Sequence, residues 1–269
     1  RQVYRGLELG SGQDLAEYGE IPYHLIDITD LGSEYSVFDF QRDFAVAFTA
    51  VRSKGALPVI VGGTGMYLDS IIRDYSFEAV PENQALRKSL ELLSVDELVS
   101  RLLAVKKEVH NRTDLVDRSR LIRAIEIAEF KRDDQGNRAE RRKALDFRPL
   151  ILGVRVERTE LRARIRSRLL SRIGEGMIEE VNGLHASGAS WERLERLGLE
   201  YRITAEYLQG KIADRKQYTE ELNQSIGQFA KRQETWFRGM ERKGVQINWI
   251  ENGNRDEAIS LASRYFRKD

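Results

Sequence analysis

A glycine-rich turn places one hydroxyl where a ligand can approach the backbone. The short apolar run Pro58–Val61 breaks at Gly62, Gly63, Thr64 and Gly65, after which a helix-like pattern begins. Glycines lack a Cβ, so a ligand can come close to this backbone, and Thr64 places its hydroxyl in the same gap. In α/β proteins a turn from a strand to a helix lies at the carboxyl edge of the sheet, where ligands bind. A purely structural turn accounts for these residues equally well.

Positive charge is concentrated in the middle of the chain. The formal net charge is +1, but residues 118–172 contain 17 Lys and Arg against 8 Asp and Glu, whereas residues 1–50 contain 3 against 9. This asymmetry indicates a polyanion partner for the middle of the chain. The alternative is a set of solvated helix faces, which also carry many charges.

The composition excludes several other kinds of site. The 269 residues include no cysteine, so disulfides and cysteine-based metal sites are excluded. The histidines His24, His110 and His185 are far apart and do not have the spacing of metal ligands. No apolar run approaches the roughly 20 residues that span a bilayer, and no signal peptide is visible. We therefore expect a cytoplasmic protein with no membrane partner.

An alternation of strands and helices positions these residues. The pattern predicts strand-like segments at 25–28, 58–61 and 150–156, which alternate with helices and so indicate an α/β fold with a parallel sheet. Residues 81–147 are helical almost throughout and interrupt this alternation, so we interpret them as an inserted helical subdomain. Residues 1–80 and 148–269 then form the core, and its last strong helix is predicted from about Tyr218 to Arg242.

Several segments together resemble the bacterial tRNA dimethylallyltransferases. Each is a weak signal alone, but they occur in the family's order and span nearly the whole chain: Arg1–Gly6, Tyr23–Asp27, Tyr35–Phe40, Leu57–Leu68, Arg120–Ala124, Glu200–Arg202, Gln228–Gln233 and Thr235–Arg238. The resemblance implies a P-loop NTPase-like parallel sheet with an inserted all-helical subdomain that binds the tRNA anticodon stem-loop. It also implies transfer of a dimethylallyl group from dimethylallyl pyrophosphate to the exocyclic N6 amine of the adenine 3′-adjacent to the anticodon.

This reaction requires particular groups around its substrates. An allylic pyrophosphate ionises readily once its leaving group is neutralised by Mg²⁺, backbone amides and cationic side chains. A carboxylate must take a proton from the attacking amine, and the adenine must leave its stack. The resemblance implies Mg²⁺ as cofactor, an Asp two residues before Arg1 as the carboxylate, and a phosphate-binding glycine-rich loop further upstream. The sequence begins without an initiator Met, so we expect residues before Arg1 in the natural protein and an inactive chain as written.

The resemblance implies two catalytic residues within the sequence. Thr64 matches a threonine that forms hydrogen bonds near the amine and the pyrophosphate, and Gly62, Gly63 and Gly65 form the active-site turn around it. Arg202 matches an arginine that contacts the pyrophosphate. The alternatives are a helix N-cap role for Thr64 and a surface ion pair of Arg202 with a neighbouring glutamate.

A second group of matching residues implies contacts with tRNA. Two departures from the family pattern affect local phosphate contacts: Gln13 stands where a lysine is common, and Tyr23 stands where a second histidine is common. Contacts with phosphates supply salt-sensitive affinity rather than sequence choice. The residues implied in tRNA binding are Arg1, Gln2, Arg87, Ser119, Arg120, Leu121, Ile122, Arg123, Gln228, Phe229, Ala230, Lys231, Arg232 and Gln233.

Three other functions compete with this interpretation. An isopentenyltransferase that acts on free adenine nucleotides would not need the basic helical insertion at 81–147. A P-loop kinase of small molecules would leave the segment Gln228–Arg238 without a role. A catalytically incomplete RNA-binding fragment describes the chain as written, although it is a weaker description of the whole gene product. For the complete protein we expect a monomer.

Overall fold

The computed structural model describes residues 1–75, 80–105, 117–133 and 145–267. These residues belong to two compact units, one formed by residues 1–75 and 145–269 and the other by residues 76–144. The second unit begins and ends a few residues before the predicted limits of the insertion, 81 and 147. Residues 106–116 and 134–144 of that predicted insertion lie outside the described residues.

Helices dominate both units in the described part of the chain. A 3₁₀ turn at Leu15–Tyr18 precedes them. The elements in chain order are α1 (Val37–Ser53), α2 (Gly65–Ile72), α3 (Gln84–Leu90), α4 (Val95–Val105), α5 (Arg118–Asp133), β1 (Leu152–Arg155), α6 (Arg158–Gly174), α7 (Met177–Ala186), α8 (Trp191–Arg196), α9 (Leu199–Leu208), α10 (Arg215–Arg242), β2 (Asn248–Glu251) and α11 (Arg255–Phe266).

Helix α1 begins where the sequence supplies a capping box. The Ser36 hydroxyl accepts a hydrogen bond from the Asp39 backbone N–H, and the Asp39 carboxylate accepts one from the Ser36 N–H. Phenylalanines at four-residue spacing follow on one face, and Phe40 stacks on Tyr67 of α2 with 4.3 Å between ring centroids. The cap and this aromatic face fix α1 against α2.

The first unit is built around two apolar clusters. One joins residues Val3–Leu7 to helices α7, α8 and α9, and the other joins α6 to α9 and α10. The fully buried Tyr201 and Tyr218 lie in these clusters, one in each. Helix α9 contributes to both clusters, so its position is determined from two sides.

A two-stranded parallel sheet also lies in the first unit. Strand β1 pairs with β2 in the register Leu152 with Asn248 through Arg155 with Glu251. The ring of Trp249 and the side chain of Ile247 pack over Gly153, where a Cβ would collide with both. Strand β1 follows the predicted segment 150–156 closely, because its β-branched and apolar residues find a partner strand.

Two predicted strand-like segments are wrong. Residues 58–61 form no strand among the described residues, and the side chains of Val59 and Val61 are 76% and 80% exposed rather than buried. Residues 25–28 also form no strand, because Leu25 and Asp27 have φ of 63° and 53°, in the left-handed region. One isolated parallel bridge joins Tyr4 to Thr29 nearby. A strand requires a paired neighbour, and the apolar pattern of 58–61 does not specify one.

The second unit has its own apolar core among the described residues. Helices α4 and α5 pack along each other, and α3 packs on α5. The side chains of Leu90, Leu98, Leu102, Leu121 and Ile125 are almost completely buried at this junction. An isolated helix of this length is marginal in water, so the shared apolar face stabilises the three helices together.

No helix in the described residues is both long and apolar enough to cross a membrane.

Candidate active site

The hydroxyl of Thr64 is not used to cap the helix that it precedes. Thr64 occupies the N-cap position of α2, yet its side chain accepts no hydrogen bond from the first turn of that helix. The residue is exposed, whereas Asp69 and Ser70 one turn further along are buried. The structural alternative for this threonine, a side-chain cap, is therefore absent, and the hydroxyl remains available to a ligand.

The turn around Thr64 is covered on one side by helix α10. The Gln233 amide Nε2 donates a 2.9 Å hydrogen bond to the Gly63 carbonyl. A Cβ on Gly63 would collide with Gln233, and a Cβ on Gly65 would collide with the Trp236 ring. A Cβ on Gly62 would meet no atom within 4 Å. The absence of a Cβ at Gly63 and Gly65 thus allows side chains of α10 to contact the backbone there. The backbone at Gly62 is not covered by α10.

Helix α9 carries Arg202 at the surface and a buried tyrosine beside it. The Arg202 guanidinium forms a 3.0 Å ion pair with Glu206, one turn along the helix, and its side chain is 45% exposed. An exposed pair of this kind contributes little to stability, so the guanidinium can exchange its partner at small cost. Tyr201 anchors the helix below, so the backbone that carries Arg202 is held in place.

A single carboxylate, Glu180 of α7, fastens the loop at residues 8–10 to this region. Its oxygens accept hydrogen bonds from the backbone N–H groups of Glu8, Leu9 and Gly10 at 3.0, 2.6 and 3.1 Å, and from the Tyr201 hydroxyl at 2.7 Å. Burial, together with the negative charge of Glu180, raises the pKa of Tyr201 far above its usual value, so the hydroxyl stays protonated as a donor. Sequence reasoning missed Glu180, because a glutamate within a helix carries no distinguishing pattern.

The first residues of the chain lie against the same helix and loop. Arg1 forms a 2.7 Å ion pair with Glu200 of α9. The Gln2 amide donates to the Gly12 carbonyl at 2.8 Å. Gln13 is buried, and its amide donates to the Asp27 carboxylate at 2.6 Å. Gln13, at the position where the resemblance leads one to expect a lysine, is therefore a neutral donor whose hydrogen bond goes to Asp27.

In the second unit, two of the arginines implied in tRNA binding hold a buried carboxylate. The Glu126 side chain is 1% exposed and accepts hydrogen bonds from Arg87, at 2.9 and 3.1 Å, and from Arg123. The Asn83 backbone N–H donates to the same carboxylate at 2.6 Å. Burial alone would raise the pKa of Glu126, but these donors lower it below its usual value. Arg87 and Arg123 therefore stabilise the helical unit, whatever they contact outside it.

The segment 119–123 presents only part of its side chains to solvent. Leu121 and Ile122 lie in the core of the second unit, whereas Ser119 and Arg120 are exposed. The Asp117 carboxylate caps α5 by accepting hydrogen bonds from the backbone N–H groups of Ser119 and Arg120, at 2.9 and 3.2 Å. Arg120 extends from this capped turn with its side chain 60% exposed.

The tRNA-binding segment predicted on α10 is divided between two faces of that helix. Gln228, Lys231 and Arg232 are exposed, and the Arg232 guanidinium lies 5.8 Å from the centre of the Phe229 ring. Phe229, Ala230 and Gln233 are half-buried. A cation can reach a polyanion from the exposed face, whereas the half-buried face meets the protein itself.

The structure positions Thr64 and Arg202 through separate sets of contacts. Thr64 is held through α2 and α10, and Arg202 through α9, α7 and the loop 8–10. No hydrogen bond or ion pair within the described residues joins the two side chains. The described residues also include no group of three or more His, Cys, Asp or Glu side chains that could hold a metal ion.

Comparison with known proteins identifies the family. The family model described as IPP transferase matches residues 2–240. The chain belongs to the IPP transferase family. The tRNA dimethylallyltransferase 2 of Treponema denticola is 54% identical over 252 residues, which cover 93% of this chain and 84% of that protein.

Solved structures of the family agree with this assignment. The full-length tRNA isopentenylpyrophosphate transferase of Bacillus halodurans is 26% identical, has a TM-score of 0.68, and is matched over 99% of this chain and 84% of that one. A eukaryotic dimethylallyltransferase acting on tRNA has a TM-score of 0.78 at 19% identity, over 99% of this chain and 71% of that one, which shows the fold alone. The predicted fold class, an α/β core of the P-loop type with a parallel sheet, is confirmed.

Proposed function

We propose that this protein transfers a dimethylallyl group from dimethylallyl pyrophosphate to the N6 amine of the adenine 3′-adjacent to the tRNA anticodon. The observation that carries the proposal is the 54% identity to a tRNA dimethylallyltransferase over 93% of the chain. The name of that relative states both the transferred group and the acceptor. The uncapped hydroxyl of Thr64 and the exposed guanidinium of Arg202 support the proposal.

Arg202 is suited to the leaving group. Negative charge develops on the pyrophosphate as the allylic C–O bond breaks, and a cation held beside it lowers the barrier. The guanidinium is half-exposed and its present partner, Glu206, is a surface carboxylate 3.0 Å away. Binding of the pyrophosphate replaces this weak pair, while the buried Tyr201 keeps the helix in place.

Thr64 is suited to position the reacting groups. Its hydroxyl is not occupied by the helix cap, and it can both donate and accept a hydrogen bond. A hydroxyl in this position can donate to a pyrophosphate oxygen or accept from the adenine amine. The adenine must be unstacked from the anticodon loop to reach it.

Exposed cations of both units are suited to the tRNA backbone. Lys231 and Arg232 on α10 and Arg120 on α5 are exposed, and each can neutralise a phosphate. Exposed cations on each unit, taken separately, favour tRNA over a free adenine nucleotide as acceptor. A monomeric state and a cytoplasmic location stay part of the proposal.

Among the described residues, no cluster of acidic side chains offers Mg²⁺ a site made by the protein alone. Mg²⁺ binds carboxylates, substrate phosphates and water, and no cluster of three or more potential ligands is present among the described residues. The groups that the described residues offer to the substrates are the side chains of Thr64 and Arg202 and the exposed cations.

Transfer of label tests the proposal. Full-length protein is incubated with radiolabelled dimethylallyl pyrophosphate and either tRNA or adenosine monophosphate. We expect label in tRNA only, on the adenine beside the anticodon, and none in a tRNA that has another base there. Label in the nucleotide would support the nucleotide isopentenyltransferase instead, and tRNA binding without transfer would leave only an RNA-binding protein.

The Arg202→Ala variant tests the assigned role in the same assay. In the proposed role, the Arg202 guanidinium stabilises the negative charge of the leaving pyrophosphate. We therefore expect kcat of the variant to fall about 100-fold, whereas the Kd for tRNA should be unchanged. Arg196→Ala is the matched control, since Arg196 is an exposed arginine of α8 whose guanidinium lies 3.8 Å from Glu34. An equal loss of tRNA binding and transfer in Arg202→Ala would contradict the role.

A further inference from the structure

The contact between α10 and the turn at Gly62–Gly65 is more than packing. Gln233 and Trp236 are three residues apart and so lie on one face of α10. Gln233 binds the Gly63 carbonyl, and the Trp236 ring lies against the backbone at Gly65. The two side chains therefore contact the residues immediately before and after Thr64.

The glycines at 63 and 65 are required by this contact and not by backbone conformation. Neither has φ in the left-handed region, so another residue could adopt the same backbone angles. What excludes a side chain is the presence of Gln233 at one position and of Trp236 at the other. At Gly62, where α10 does not reach, a side chain would meet open space.

Helix α10 is itself firmly held at both ends. Tyr218 and Leu222 near its start and Met240 near its end are buried. The Tyr218 hydroxyl lies 2.9 Å from the Thr204 hydroxyl of α9, and the Trp249 indole N–H donates to Glu241 at 2.8 Å. The turn around Thr64 is thus attached to a rigid element, although it has no partner strand.

We infer that Gln233 and Trp236 are positioning residues for Thr64. This inference rests on the proposed function and assigns Gln233 a different role from tRNA contact. The Gln233 hydrogen bond sets the orientation of the Gly63–Thr64 peptide, and the Trp236 ring prevents the turn from moving toward α10. Exposed Lys231 lies on the opposite face of the same helix and serves the tRNA phosphates.

The first test separates positioning from binding in the full-length protein. Gln233→Glu has nearly the same shape but cannot donate to the Gly63 carbonyl, so we expect kcat to fall about tenfold with the Kd for tRNA unchanged. Lys231→Ala should weaken the Kd for tRNA, which is the property that Gln233→Glu should leave unchanged. Weakened tRNA binding with unchanged kcat in Gln233→Glu would overturn the inference.

The second test uses the crowding at Gly63. Alanine at position 63 must displace the Gln233 side chain, so Gly63→Ala and Gln233→Ala remove the same contact. We expect the double variant to have the kcat of the slower single variant, because the two changes are coupled. Multiplicative losses in the double variant would mean that the two residues act independently and would overturn the inference.

The third test does not depend on prenyl transfer. Hydrogen–deuterium exchange of the backbone amides at residues 63–68 should accelerate in Gln233→Ala and in Trp236→Ala. Gln224→Ala is the matched control, since Gln224 is an exposed glutamine two and a half turns earlier on α10. Unchanged exchange in both variants would overturn the positioning role, whereas faster exchange in a protein without transferase activity would refute only the proposed function.

Discussion

At the scale of single residues, hydrogen-bond partners separate catalytic candidates from structural ones. Among the described residues, the Thr64 hydroxyl makes no helix cap, and the Arg202 guanidinium pairs with Glu206 at the surface, so neither side chain is held in the protein core. Arg123 is different, because it donates to the buried Glu126 and, at 2.8 Å, to the Val80 carbonyl. Arg123 and Arg202 cannot be distinguished by residue type, because both are arginines. Their hydrogen-bond partners distinguish them, since Arg123 binds a buried carboxylate and Arg202 binds a partly exposed one.

Replacement of Thr64 should affect the reaction and leave stability unchanged. In Thr64→Ala we expect kcat to fall about 100-fold, by analogy with the loss of one positioned donor at a charged transition state. The melting temperature should stay at the wild-type value, because no cap hydrogen bond is lost. Thr64→Ser keeps the hydroxyl and serves as the control. A clear loss of stability with little change in kcat would mean that the threonine is structural.

At the scale of elements, a few polar groups tie loops and helices together. Glu180 of α7 holds three backbone N–H groups of the loop 8–10 and the Tyr201 hydroxyl of α9. Glu126 of α5 holds Arg87 of α3 and the N–H of Asn83. Each carboxylate accepts hydrogen bonds from several donors at once, so each should matter more to stability than a surface ion pair.

Removal of Glu180 should loosen the loop that it holds. In Glu180→Ala the three N–H groups and the tyrosine lose their acceptor, and we expect a loss of about 2–3 kcal/mol in the free energy of unfolding. Hydrogen exchange at Leu9 and Gly10 should accelerate as well. Glu179→Ala, a change at the exposed neighbouring residue, is the control. Equal stability of the two variants in urea denaturation would show that the loop is held by other contacts.

The stability of the helical unit should depend on pH through Glu126. The pKa of this carboxyl is lowered in the folded protein from 4.5, so its stabilising effect is present above that value and is lost as the pH falls toward the lower folded pKa. We expect exchange of the α3 and α5 amides to accelerate in acid.

Two variants test this pH dependence. Glu126→Gln should be less stable near neutral pH and should respond less to acid than the wild-type protein. Glu91→Gln, a change at an exposed position of the same unit, should behave like wild type. Equal acid responses of the Glu126→Gln variant and the wild type would assign the pH dependence to other carboxylates.

At the scale of the whole molecule, the distribution of charge favours association with a polyanion. The near-neutral total hides an acidic start and a basic middle of the chain. Many of the basic side chains have acidic partners in the structure, including Arg166 with Glu220 at 2.9 Å and Arg172 with Asp14 at 3.1 Å. The excess of positive charge in the middle of the chain therefore overstates the number of cations available to tRNA, and the exposed cations have to be tested singly.

Arg120 provides the cleanest test of this association. Arg120→Glu should weaken tRNA binding and reduce the slope of log Kd against log salt concentration by about one, since one phosphate contact is lost. Arg123 is unsuitable, because its replacement would also disturb Glu126. Arg255→Glu, beyond the part of the chain that the family model matches, is the control. An unchanged salt slope in Arg120→Glu would remove this residue from the interface.

The sequence by itself determined the helices and the family. Helix α10, observed at Arg215–Arg242, matches its predicted range of about Tyr218 to Arg242 closely, because apolar spacing along a helix is a local signal. Family membership likewise followed from short segments in a fixed order, and the comparisons confirm it.

Only the tertiary structure decided which side chains are available and what holds the glycine turn. Residues 58–61 have the composition of a buried strand, yet Val59 and Val61 are exposed. Burial of such a segment requires a neighbouring strand, and the local sequence does not specify one. Gln233 and Gly63 are 170 positions apart, and the hydrogen bond between them depends on how α10 crosses the turn. Spacing along the chain encodes contacts within one element, whereas contacts between elements depend on packing. The turn that carries Thr64 therefore takes its form from α10.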